Sequence, residues 1–142
     1  MQNKIWNKFI LVLKWLVAVI FIFAGVSKIL NPDVFARDID NYRIFSYFLV
    51  TIIAIVLPWL EVLCGVFLIF GKWQKGAAVT LLILAFMFLV AISSAMARGL
   101  DITCGCFTMT TEVTKVGYLR LAEDMILFGI IILINFKILS KI

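Results

Sequence analysis

Four apolar stretches, each close to the length needed to cross a bilayer, dominate the chain and run roughly Phe9 to Leu30, Tyr47 to Phe70, Ala77 to Met96 and Leu119 to Leu139. An α-helix rises 1.5 Å per residue, so about 20 residues cross a hydrocarbon core of about 30 Å. Hydrocarbon offers the backbone no partners, and such stretches must therefore satisfy their own N–H and C=O groups as helices. With 65% hydrophobic residues and a mean hydropathy of +1.17 over 142 residues, the ordinary soluble class is excluded. The expected fold is an all-α integral membrane four-helix bundle that forms one domain over residues 1–142. A cleaved signal peptide is rejected for the first stretch, because its apolar run is longer than a usual h-region and "FAGVSKILNP" offers no A-x-A cleavage site.

Four spans put both termini on one side, and the basic residues decide which. The N-terminus, the "GKWQKG" turn and the C-terminal tail carry Lys4, Lys8, Lys72, Lys75, Lys137 and Lys141 without an acid among them. The other two loops, about residues 31–46 and 98–118, hold Arg37, Arg43, Arg98 and Lys115 spread over a longer length, with Lys28 and Arg120 at their edges. Density of positive charge thus favours cytoplasmic termini. Cys104 and Cys106 are then expected outside the cytoplasm, where disulfides persist. The net charge of +5 reads as anchoring at the membrane interface, with membrane lipid as the partner and no nucleic acid.

Between the first two spans, Phe35, Ile39 and Tyr42 recur at helical spacing, which predicts a short helix on the outer interface, capped by Asn31 and started by Pro32. Pro58 inside the second span predicts a kink that frees the carbonyl of Ala54. The threonine-rich stretch from Arg98 to Lys115 has no helical periodicity. The last helix is expected from about Gly117, with Arg120, Glu123 and Asp124 on one face at the outer boundary. Small residues, including Gly25, Gly65, Ser93, Ser94, Ala95 and Ala97, suit close helix contacts.

Histidine is absent, which closes imidazole chemistry and leaves cysteine chemistry. Cys104 and Cys106 flank Gly105, closer together than in a C-x-x-C motif. A disulfide across one residue must bend the chain sharply, which Gly105 permits, and such a bond is readily exchanged. Two other readings stay open: a static or incidental pair, and a soft Cu(I) site with Met109. Cys64 reads as a packing thiol. Glu61, near the middle of the second span, requires a partner, and Lys14 is at a compatible depth for a tie between helices; a proton relay or a quinone contact is the functional alternative. Lys28, Arg120, Glu123 and Asp124 gather near the outer boundary, where they either snorkel or lower a thiol pKa.

Taken together, "FAGVSKILNPDVFARDIDNYRIF", "LPWLEVLCGVFLIFG" and "RGLDITCGCF" resemble the DoxX-like superfamily and, within it, the methylamine utilisation protein MauE family. The resemblance covers almost the whole chain, and the Cys-Gly-Cys-Phe loop is its most specific mark. It implies a four-helix, multi-pass protein of the bacterial inner membrane, associated with redox maturation of exported proteins; the family's named member is linked to disulfide formation in methylamine dehydrogenase. By that resemblance Cys104 and Cys106 are the redox pair, and Lys28 and Glu61 stand at the family's polar helix positions. Thr108 departs from the glycine expected after Phe107. The implied function is thiol–disulfide exchange with an exported thioredoxin-like or disulfide-containing client, with a membrane quinone as a candidate cofactor. The rivals are a non-catalytic membrane subunit that positions a partner and a Cu(I)-binding membrane protein.

Overall fold

A computed structural model describes residues 2–99 and 118–140, with side chains from residue 121 in the second segment. The helices are α1 (Gln2–Leu30), α2 (Pro32–Asn41), α3 (Tyr47–Phe70), α4 (Gln74–Ala97) and α5 (Tyr118–Leu139). No strand occurs among the described residues. Helices α1, α3 and α4 are each long and apolar enough to cross a membrane. The bounds of α5 agree with the fourth apolar stretch, and its 22 residues extend about 33 Å; Glu123, Asp124 and Lys137 interrupt its apolar run.

The four long helices form a ring in which α1 packs on α3, α3 on α4, α4 on α5 and α5 back on α1. Short α2 packs on α3 and α1 at the end of the ring opposite the start of α1. Chain neighbours are thus neighbours in space, which the short turn between α3 and α4 requires of that pair. The main core runs along the ring axis and draws on all four: Val17, Ala18 and Phe21 from α1, Cys64 and Leu68 from α3, Leu81 and Leu84 from α4, and Ile131 and Ile134 from α5. Residues on the outward faces, such as Val12, Phe23, Ile55, Phe86 and Phe136, are exposed and apolar. In water such a surface would be a liability; in a bilayer it is the lipid contact.

The closest approach is between α1 and α3. A Cβ added to Gly25 would come 2.8 Å from the carbonyl oxygen of Pro58 and 2.6 Å from Val62 Cγ2, and one added to Gly65 would come 3.0 Å from the carbonyl oxygen of Ala18 and 2.7 Å from Ile22 Cγ1. Glycine at these two points lets the backbones meet, which fixes the axial register of the pair. Pro58 lies inside α3, which continues as helix from Tyr47 to Phe70. The helix ends at Gly71, whose φ of 73° is the left-handed conformation of a glycine C-cap. Hydroxyls that would otherwise face hydrocarbon unsatisfied are tied back: Ser27, Thr51, Thr80 and Ser93 each donate to the carbonyl four residues earlier.

Helix α2 forms where the apolar spacing places it, with Pro32 in its first turn. Its N-cap differs from expectation, for the Asn31 side chain makes no cap hydrogen bond; the Asn31 carbonyl instead accepts from Phe35 N at 3.3 Å. Phe35 and Ile39 insert against Val50 and Ala54 of α3, and Tyr42 packs against Ile92 and Ala95 of α4. The guanidinium of Arg98, just past α4, donates to the carbonyl of Tyr42. A cation at the carbonyl end of a short helix complements its dipole, and this contact joins the ends of α2 and α4.

Candidate functional site

Glu61 is 1% exposed and Lys28 is 6% exposed, and they meet inside the bundle. Lys28 Nζ donates to both carboxylate oxygens of Glu61 at 2.9 Å. The ammonium also lies 4.9 Å from the ring centroids of Phe35 in α2 and Phe88 in α4. A desolvated ammonium facing two aromatic rings gains about 2 kcal/mol from their quadrupoles. A charge at this depth costs several kcal/mol when alone; the two-point hydrogen bond and the ring faces together offset that cost.

Beside the pair is a cavity of about 20 Å³ whose lining includes Lys28, Glu61, Phe88 and Asp124. One side chain from each long helix therefore converges on one point. A water needs about 10–15 Å³ of such space and several polar neighbours, so the cavity has room for one. Farther out, α1 and α5 leave an apolar groove of about 520 Å³ that Glu123 borders; hydrocarbon chains suit its lining.

The expected partner of Glu61 is overturned. Lys14 does not reach it and donates to Gln74 Oε1 at 3.4 Å. The reason is register: Lys14 is level with Gln74 in the first turn of α4, at the end of the bundle where α3 finishes, whereas Glu61 is about 14 Å farther along α3. Fourteen residues, about 21 Å of helix, separate Lys14 from Lys28, and the contacts at Gly25 and Gly65 bring the latter to the level of Glu61.

Of the outer charged group, Lys28 and Asp124 line the cavity, Glu123 lies at the groove, and the side chain of Arg120 is outside the described residues. So are Cys104, Gly105, Cys106 and Met109. Cys64 is a buried thiol in the main core, as expected. Sequence reasoning missed Asn135, which is buried and whose Nδ2 donates to the carbonyls of Ala78 at 2.9 Å and Ile131 at 3.0 Å. Its signal was a lone amide in "IIILINFK". Phe35 and Phe88 were read, if at all, as packing residues, because a ring announces no cation in sequence.

The ion pair holds no nucleophile. It can anchor α1 to α3 and fix the polar cavity beneath the end of the bundle where the connection from α4 to α5, which carries the Cys-Gly-Cys motif, is attached.

The family model for methylamine utilisation protein MauE matches residues 6–137. The methylamine utilization protein MauE of Methylophilus methylotrophus is 31% identical over 114 residues, which cover 80% of this chain and 60% of that protein. Its counterpart from Paracoccus denitrificans is 30% identical over 96 residues, 67% of this chain and 52% of that protein. The chain thus spans between half and about three fifths of the length of these relatives. No solved structure matches it. A four-helix membrane bundle is also what the wider DoxX-like resemblance implied. The match across nearly all of the chain, together with its multi-pass helical architecture, establishes that the chain belongs to the methylamine utilisation protein MauE family.

Proposed function

We propose that this protein is a redox-associated component of the bacterial inner membrane, with both termini in the cytoplasm and a Cys104/Cys106 pair that exchanges electrons with an exported protein. The observation that carries the reading is the Cys-Gly-Cys motif in the connection between α4 and α5 of a MauE family chain. A thiolate of the pair attacks a disulfide of a thioredoxin-like client to give a mixed disulfide and a client thiolate, which takes up a proton. The second cysteine, as thiolate, then displaces the remaining client sulfur. The client ends as a dithiol and the Cys104/Cys106 pair as a disulfide; two electrons have moved, and the reverse sequence oxidises the client. Gly105 lets the short ring close, while Lys28, Glu61 and Arg120 are supporting residues at the end where the motif is attached. The names of the relatives support methylamine utilisation as the setting of the proposed exchange.

Replacement of either cysteine tests the reading. In C104S and C106S cells, exported clients trapped by alkylation are expected to change redox state while the membrane level of the protein stays as in the wild type. If client abundance or assembly changes and its redox state does not, the protein is a non-catalytic positioning subunit.

A further inference from the structure

Charge is segregated along the bundle. No aspartate or glutamate occurs in residues 2–32, 62–99 or 125–140. The ends of the helices drawn from those segments, at Gln2 of α1, Phe70 of α3, Gln74 of α4 and Leu139 of α5, share one end of the antiparallel ring. That end carries Lys4, Lys8, Lys14, Lys72, Lys75 and Lys137. Lys4, Lys8, Lys72 and Lys75 are exposed, and the other two are half-buried. At the opposite end, Asp33, Asp38, Asp40, Glu123 and Asp124 stand among Arg37, Arg43 and Arg98, so charges of both signs are mixed there.

We propose that the lysine end is a binding surface for the anionic phospholipids of the bilayer. Lys14, bound to Gln74 across the ring, and Lys72 and Lys75 lie within about a turn of the Gly71 bend, at one level of the bundle. Trp15 is 48% exposed and Trp73 is 63% exposed; they flank these lysines, and Trp73 rests on Phe67 with ring centroids 5.3 Å apart. Indole rings beside lysines mark the headgroup layer of a membrane. Lysine is a point charge on a flexible stem, able to follow a phosphate at that layer without demanding a fixed fork geometry. Lys8 and Lys4 continue the positive surface about 9 and 15 Å farther along α1. Each lysine near an anionic surface attracts it by about the same increment, so the effect is collective and screened by salt. The inference needs only the membrane reading and is independent of the cysteine chemistry.

The test is tryptophan quenching by brominated lipid in reconstituted W59F protein, in which the remaining tryptophans, Trp6, Trp15 and Trp73, all belong to the lysine end. Brominated phosphatidylglycerol is expected to bind at least about threefold more strongly than brominated phosphatidylcholine at low ionic strength, and the preference is expected to fall towards one at high salt. K14Q/K72Q/K75Q should lose the preference, whereas R37Q/R43Q, at the other end, should keep it. Equal quenching by the two lipids with only the W59F change overturns the proposal, whether or not the glutamine variant folds. Displacement by inorganic phosphate, beyond that of chloride at equal ionic strength, also overturns it, since the site would then be one for a free anion.

Discussion

Lys28 and Glu61 carry opposite charges into the middle of an apolar bundle, and the cost of separating them exceeds the benefit of having them. Glu61→Gln leaves the ammonium buried without the carboxylate that binds it through both oxygens, and is expected to destabilise the protein by about 3–5 kcal/mol. The double change K28M/E61L removes both charges while filling similar volume, and should recover most of that loss. Unfolding midpoints in detergent measure both; a double variant as unstable as the single one would show that the pair is more than a compensated charge. The sequence announced that Glu61 needs a partner, because a carboxylate in an apolar run cannot stand alone. It did not announce which lysine, since Lys14 and Lys28 are both on α1 and only the axial position of α1 against α3 chooses between them. Asn135 was missed for the opposite reason: a single amide amid isoleucines has no charge to demand notice, yet its bond to the Ala78 carbonyl ties α5 to α4.

Elements were more legible than residues. The apolar stretches correspond to α1, α3, α4 and α5, and the spacing of Phe35, Ile39 and Tyr42 gave α2 its place and its buried face. Hydropathy and helical period are local properties of the chain, so they survive without tertiary information. The beginning of α1 was less legible, because Asn3, Lys4, Asn7 and Lys8 interrupt the apolar pattern without interrupting the helix. The tight contact of α1 with α3 yields a prediction at this scale. Gly25→Ala forces a Cβ against the Pro58 carbonyl oxygen at 2.8 Å and should destabilise the bundle by about 1–3 kcal/mol. Gly129→Ala, on α5 where an added Cβ meets nothing within 4 Å, should instead be neutral or stabilise by up to about 1 kcal/mol through better helix propensity. Parallel chemical denaturation of the two variants checks the contrast, and equal effects would remove the glycine contact as the determinant of register.

At the scale of the whole molecule, orientation connects the bundle to its proposed chemistry. In the proposed orientation, with both termini cytoplasmic, a membrane-impermeant maleimide added to intact cells after mild reduction should label Cys104 and Cys106, while Cys64, buried in the core, stays unlabelled until the protein is unfolded. Labelling that requires permeabilised membranes would reverse the orientation and, with it, the compartment of the exchange partner. The sequence by itself determined that the chain is an all-α membrane bundle, that a short amphipathic helix follows the first span, and that the cysteine pair lies in the connection before the last helix. Each of these follows from hydropathy, period or order along the chain. Only the tertiary structure decided that Lys28 rather than Lys14 meets Glu61, and that Phe35, Phe88 and Asp124 join them from three other helices. Those outcomes depend on the axial shift and rotation of one helix against another, which backbone contact at Gly25 and Gly65 sets for α1 and α3 and which no single helix encodes.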